Sequence, residues 1–94
     1  MFVLGLENKN YKANKELMIK LNNYLDENYK GLSRGIYEKK GSGVNGVYNQ
    51  DFHENTILIE IGGVDNNLES IVNSTEIIAK GLYYIIGDKN EEIN

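Results

Sequence analysis

The stretch Asn55-Thr56-Ile57-Leu58-Ile59-Glu60-Ile61-Gly62-Gly63-Val64-Asp65-Asn66 decides how the chain is read. Aliphatic and β-branched residues with one acid set among them, closed by two glycines, mark a buried strand that carries a carboxylate to its C-terminal end. Open α/β sheets place their chemistry there. Alternation puts Ile57, Ile59 and Ile61 on one face and Leu58 and Glu60 on the other, so the acid is expected among apolar groups. A carboxyl so placed is paired, protonated or functional. Desolvation raises its pKa toward the working range of a general base, which makes Glu60 the leading catalytic candidate. The structural alternative is a buried ion pair with Arg34 or Lys80. Beyond the strand, Asp65 and Asn66 can cap a helix beginning near Asn67, and Asn66 to Glu69 has capping-box spacing.

Working outward, Leu68, Ile71, Val72, Thr75, Ile78, Ala79, Leu82, Ile85 and Ile86 form a wide apolar stripe at helical spacing, with Gly87 as the expected stop. The polar tail 88–94 is expected to fray. At the other end, Phe2-Val3-Leu4-Gly5-Leu6 reads as a strand buried on both faces, and a chain that opens in mid-strand suggests an excised piece. Glu7 to Asn10 is turn-like. Leu17, Met18, Leu21, Tyr24 and Leu25 predict a helix through about Tyr29, ended by Gly31 in a left-handed conformation with Leu32 folding back. Lys15, Lys20, Asn22, Asn23 and Asp26 lie on its solvated face. Ser33 to Lys40 reads as a second strand and Gly41-Ser42-Gly43 as a turn. Residues 44–55 are too polar for core and too aromatic for a spacer, with Tyr48, Phe52 and His53 interleaved, which fits a binding loop.

Composition narrows the function. At 94 residues the chain holds one domain with a modest core, and no apolar run is long enough to span a bilayer. A net charge of −4, with no basic cluster, argues against nucleic acid as a partner. The absence of cysteine excludes disulfides and thiol nucleophiles, and a single histidine cannot build a zinc site, so no metal ligands are assigned. Arg34 could clamp a carboxylate with its planar fork, the commoner role being a surface ion pair. Asn49, Gln50 and Asp51 could hydrogen-bond a peptide or sugar, or simply make a turn. His53, seven residues before Glu60, matches no compact metal motif.

Three motifs in order, Leu32-Ser33-Arg34-Gly35-Ile36, then Tyr48-Asn49-Gln50-Asp51-Phe52, then Leu58-Ile59-Glu60-Ile61-Gly62-Gly63 with Asn66 after it, resemble the C-terminal part of the stage II sporulation protein P family. That family comprises cell-wall hydrolases of endospore formers related to zinc-dependent N-acetylmuramoyl-L-alanine amidases. Phe2-Val3-Leu4-Gly5 and the last helix extend the likeness over nearly the whole chain. The resemblance implies an α/β fold of amidase type, the C-terminal portion of a mixed, mostly parallel sheet flanked by helices in the order β-α-β-loop-β-α. Residues 1–87 then belong to the catalytic domain. It implies further that Glu60 acts on a zinc-bound water, taking its proton and handing it to the leaving amine, while Arg34, Asn49 and Gln50 orient the substrate. The family's zinc ligands lie in upstream histidine motifs, so zinc is a cofactor of the parent held outside this chain, and the chain alone is expected to be inactive.

The implied parent is membrane-anchored and faces the wall at the sporulation septum during engulfment, with peptidoglycan as substrate and other stage II wall-remodelling proteins as partners. Cleavage of peptide cross-links is a second activity credited to the family. The chain departs from the family pattern in a longer link at Ser42 to Val47, and in His53-Glu54 where a serine-proline connection is common. The rival reading is a non-catalytic peptidoglycan-binding or interaction module. By itself the chain is expected to be soluble, and it is expected to self-associate, because two helices are too few to cover strands made to be buried on both faces.

Overall fold

A computed structural model describes residues 1–41, 46–62 and 67–93, with side chains as far as residue 87. Strand β1 (Phe2–Gly5) leads into helix α1 (Tyr11–Asn28), strand β2 (Ile36–Lys39), strand β3 (Leu58–Ile59) and helix α2 (Leu68–Ile93). The sheet is mixed, in the order β2-β1-β3, with β1 and β2 parallel and β1 and β3 antiparallel. The expected α/β order holds. The sheet is mixed as expected, with one parallel and one antiparallel pairing among the described residues.

The centre of the sheet is the most apolar strand. All four residues of β1 are buried. Phe2 and Leu4 pack with Met18, Leu21 and Leu25 of α1, and Ile77, Ile78, Leu82 and Ile85 of α2 close over this cluster. Both helices therefore lie on the Phe2/Leu4 face. Gly81 lets them approach, since a Cβ there would stand 2.7 Å from the Leu21 side chain and 2.9 Å from the Tyr24 ring. On the other face Tyr37, Val3 and Leu58 form one row across the sheet, and Tyr37 and Leu58 are exposed.

Several boundaries move, each for a local reason. Helix α1 starts at Tyr11, directly after the expected turn, and the buried Asn14 continues the Met18-Leu21-Leu25 stripe backwards. Gly31 takes the left-handed conformation as expected, with φ of 83°. Strand β3 shrinks to two residues, and Leu58 and Glu60 on its second face are exposed rather than buried. The cap of α2 is Asn67, one residue later than expected, its side-chain oxygen accepting the Ser70 N–H at 2.8 Å. Ser42, Gly43, Gly63, Asp65 and Asn66, to which a turn, a close approach and caps were assigned, lie outside the described residues. Helix α2 runs through Gly87 to Ile93, so the expected stop there is absent. One interior glycine costs about 1 kcal/mol, which a long packed helix absorbs.

Only part of the wide apolar stripe on α2 meets the core. Leu68, Val72, Tyr83 and Ile86 remain exposed, and with Thr75 and Ala79 they line a second stripe along the helix. Self-association of the 94-residue chain is the expected consequence, most simply as a two-fold dimer. Sedimentation equilibrium should show a dimer that the double substitution Val72→Glu with Ile86→Lys returns to monomer. Monomer alone at high concentration would mean that this stripe stays wet.

Candidate active site

Strand direction brings the charged candidates together. Because β3 is antiparallel to β1, the residue that leaves β3 stands beside the residue that enters β1. Glu60 N–H donates to the Met1 carbonyl at 2.8 Å, and the Met1 amino group donates to the Glu60 carbonyl at 2.9 Å. Because β2 is parallel to β1, the residues that precede β2 arrive at the same end, where Phe2 N–H donates to the Gly35 carbonyl at 2.8 Å. Glu60 and Arg34 therefore flank one end of the sheet. Between them opens a cavity of about 380 Å³, walled by the α1–β2 connection, the end of β3 and the first turns of α2, with Ser33, Ser70, Ser74 and Ile78 among its lining residues.

The backbone around this cleft is held in place. Ser33 Oγ accepts the Gly35 N–H at 3.0 Å and donates to Asn22 Oδ1, which ties the α1–β2 turn to the helix before it. Asn22, read as part of a solvated face, thus has a positioning role. Gly35 and Gly62 sit at φ of 84° and 77°, a region open to glycine at little cost. The Arg34 Nη2 group reaches the Gly62 carbonyl at 3.5 Å, at the long limit of a hydrogen bond. The Met1 amino group is held below its usual pKa, first by burial and then by the positive charge of Arg34, while Glu60 acts in the opposite sense. Both charges are thus felt at one point.

Glu60 itself departs from its expected setting. Its side chain is exposed, and the apolar enclosure inferred from strand alternation is not there. The strand ends one residue earlier, so the second face has no neighbour to cover it. Neither does the structural alternative appear: the ion pairs among the described residues are Lys15–Glu38 and Lys20–Glu16, and neither Arg34 nor Lys80 is bridged to Glu60. Glu60 is an acid open to water and to a ligand.

Asn49 and Gln50 do not join this cleft. They lie at the far end of β1, four residues along the strand from Met1, or about 13 Å. Gln50 is fully buried. Its Oε1 accepts the Gly5 N–H at 2.8 Å and its Nε2 donates to the Val3 carbonyl at 2.6 Å. The side-chain amide acts as a surrogate peptide group on the edge of β1 beyond the point where β3 stops. That occupies the groups Gln50 was expected to offer to substrate. Asn49 is exposed, in a turn where Tyr48 and Asn49 both take positive φ, 53° and 58°.

Three residues that sequence reasoning passed over anchor this loop. Asn10 Nδ2 donates to the carbonyls of Gln50 and Asp51, at 3.3 and 3.2 Å, and Asn14 Nδ2 to those of His53 and Glu54, at 3.3 and 2.9 Å. Asn8 is buried, donating to the Gly5 carbonyl at 2.6 Å and accepting the Asn10 N–H at 2.7 Å. One signal was available: a polar Asn14 in line with an apolar helical stripe needs a buried partner. His53 is exposed, its Nδ1 accepting the Asn55 N–H at 3.0 Å. Among the described residues no three His, Asp or Glu side chains converge to hold a metal ion.

The fold and cleft define a small α/β unit that presents one carboxylate and one guanidinium at an open sheet end. The profile of the family described as stage II sporulation protein P matches residues 1–83, and the chain belongs to that family. Stage II sporulation protein P of Bacillus subtilis (strain 168) is 41% identical over 78 residues, which is 83% of this chain and 20% of that protein. The chain thus spans about a fifth of the length of the curated relative it matches. No solved structure matches. No described helix is long and apolar enough to cross a membrane.

Proposed function

We propose that this chain forms the C-terminal part of a peptidoglycan hydrolase of sporulation, an N-acetylmuramoyl-L-alanine amidase that also cuts peptide cross-links, acting at the septum in a membrane-anchored parent. The observation that carries the reading is the open cleft that both Glu60 and Arg34 line. On this reading Glu60 is the catalytic glutamate, and its exposure leaves it within reach of a water and a scissile amide. A general base must meet that condition before its pKa matters. Glu60 takes the proton of the attacking water and returns it to the leaving amine. Arg34 offers its fork to a carboxylate of the stem peptide. Asn49 is left as a contact distant from the cleft.

The described residues of this chain do not gather a zinc site, so on this reading the zinc ligands come from elsewhere in the longer protein. The rival reading is a wall-binding module without activity. The test is the longer protein carrying the upstream histidines, incubated with purified cell wall. Release of stem peptides with free L-alanine amino groups, stopped by chelator and restored by zinc, is the expected result. Wall binding without release under all conditions would leave the module reading standing.

A further inference from the structure

Phe52 is the most exposed large apolar side chain of the described residues, at 88%. It sits on a loop that is anything but loose. Asn10 and Asn14 hold the carbonyls of residues 50, 51, 53 and 54. Gln50 plugs the loop into the edge of β1, and the Phe52 N–H closes the turn on the Asn49 carbonyl at 3.2 Å. Two successive non-glycine residues, Tyr48 and Asn49, sit in the left-handed region that L side chains rarely adopt. Buried amides and strained backbone together hold an aromatic ring out in water.

The neighbours say what the ring is for. Asn49 and Asp51 are exposed on either side of the buried Gln50, and Asp51 is next to Phe52 in the chain. An exposed aromatic ring with an exposed amide and an exposed carboxylate within three residues of it in the chain matches a pyranose ring, which has one C–H face and a rim of hydroxyl or N-acetyl groups. Asp51 and Glu54 beside Phe52, on a chain of net charge −4, disfavour an anionic lipid surface or a nucleic acid. We propose that residues 49–52 form a glycan-binding subsite, in which Phe52 stacks on a sugar ring and the Asn49 and Asp51 side chains bond its polar rim. The inference rests on the reading of the chain as part of a wall hydrolase. It adds that the glycan strand is held at the opposite end of β1 from Glu60, so that strand and stem peptide are gripped at separate places.

The test uses the 94-residue chain and a soluble tetramer of β-1,4-linked N-acetylglucosamine, followed by amide shifts in nuclear magnetic resonance. Saturable shifts confined to residues 48–54, with Glu60 and Arg34 unmoved, are expected. Phe52→Ala should weaken binding about tenfold or more, the worth of one stacked ring, and Phe52→Trp should retain it. Because Phe52 is exposed, both variants should keep the remaining spectrum, and that is checked in the same experiment. The inference is overturned by absence of binding, by shifts centred on the Glu60 cleft, by unchanged binding in Phe52→Ala, or by shifts at this loop with lipid vesicles and none with the sugar. Loss of this inference leaves hydrolysis by the longer protein untouched, and glycan binding without hydrolysis overturns the enzyme reading alone.

Discussion

On the proposed reading, Glu60→Gln made in the longer protein is expected to lower wall hydrolysis about 100-fold or more while leaving folding and wall binding near wild type. The size follows from the role: a general base contributes that much by taking a proton in the transition state, and an amide of the same shape cannot take it. Selectivity follows from the structure. The Glu60 backbone makes both of its bonds to Met1 whatever side chain it carries, and the side chain is exposed and unbridged among the described residues. Nothing in the core therefore registers the change. Rates are to be read from released amino groups, binding from co-sedimentation with insoluble wall, and folding from circular dichroism. Hydrolysis at the wild-type rate would reduce Glu60 to the residue that ends a strand.

The largest expected effect on stability is at Gly5. A Cβ there would lie 2.2 Å from the Gly46 oxygen, 2.5 Å from its carbon and 2.9 Å from the Val47 nitrogen. All three atoms are backbone, so none can swing aside as a side chain would. The segment is also pinned, since the Glu7 N–H donates to the Gly46 carbonyl at 2.9 Å and Gln50 is bonded on either side of Leu4. Gly5→Ala must push residues 46–50 off the strand, at a cost of about 3 kcal/mol or more. Gln50→Ala is the companion: it strands the Gly5 N–H and lengthens the bare edge of β1, each unpaired buried group costing about 1–3 kcal/mol. Against a total stability of roughly 5–15 kcal/mol for a domain, either change should move the urea midpoint sharply downward. Gly5→Ala with an unchanged midpoint would mean that residues 46–50 do not pack against β1.

The two results bear on different parts of the molecule. Loss of the cleft carboxylate leaves the frame intact, whereas loss of Gly5 or Gln50 dislodges the loop that carries Phe52. A Gly5→Ala protein that still bound sugar as tightly as wild type would place the sugar site elsewhere.

Periodicity alone determined the apolar strand at Phe2–Gly5, the two helices, the left-handed Gly31 and the strand that leads to Glu60, because each is a pattern within a few residues of chain. The motif order was enough to identify the family. What a single segment cannot contain is the direction in which strands pair. Antiparallel pairing of β3 with β1 is what carries Glu60 to the end of the sheet where Arg34 waits, and the shortness of β3 is what leaves Glu60 open rather than enclosed. The same holds for Gln50. Next to Asn49 and Asp51 it reads as one more polar loop residue, and only the free edge of β1, 45 residues earlier, turns its amide into a buried peptide surrogate. Local sequence sets propensity and which face is apolar. Whether a polar side chain meets water, ligand or backbone depends on what the rest of the chain leaves unpaired nearby.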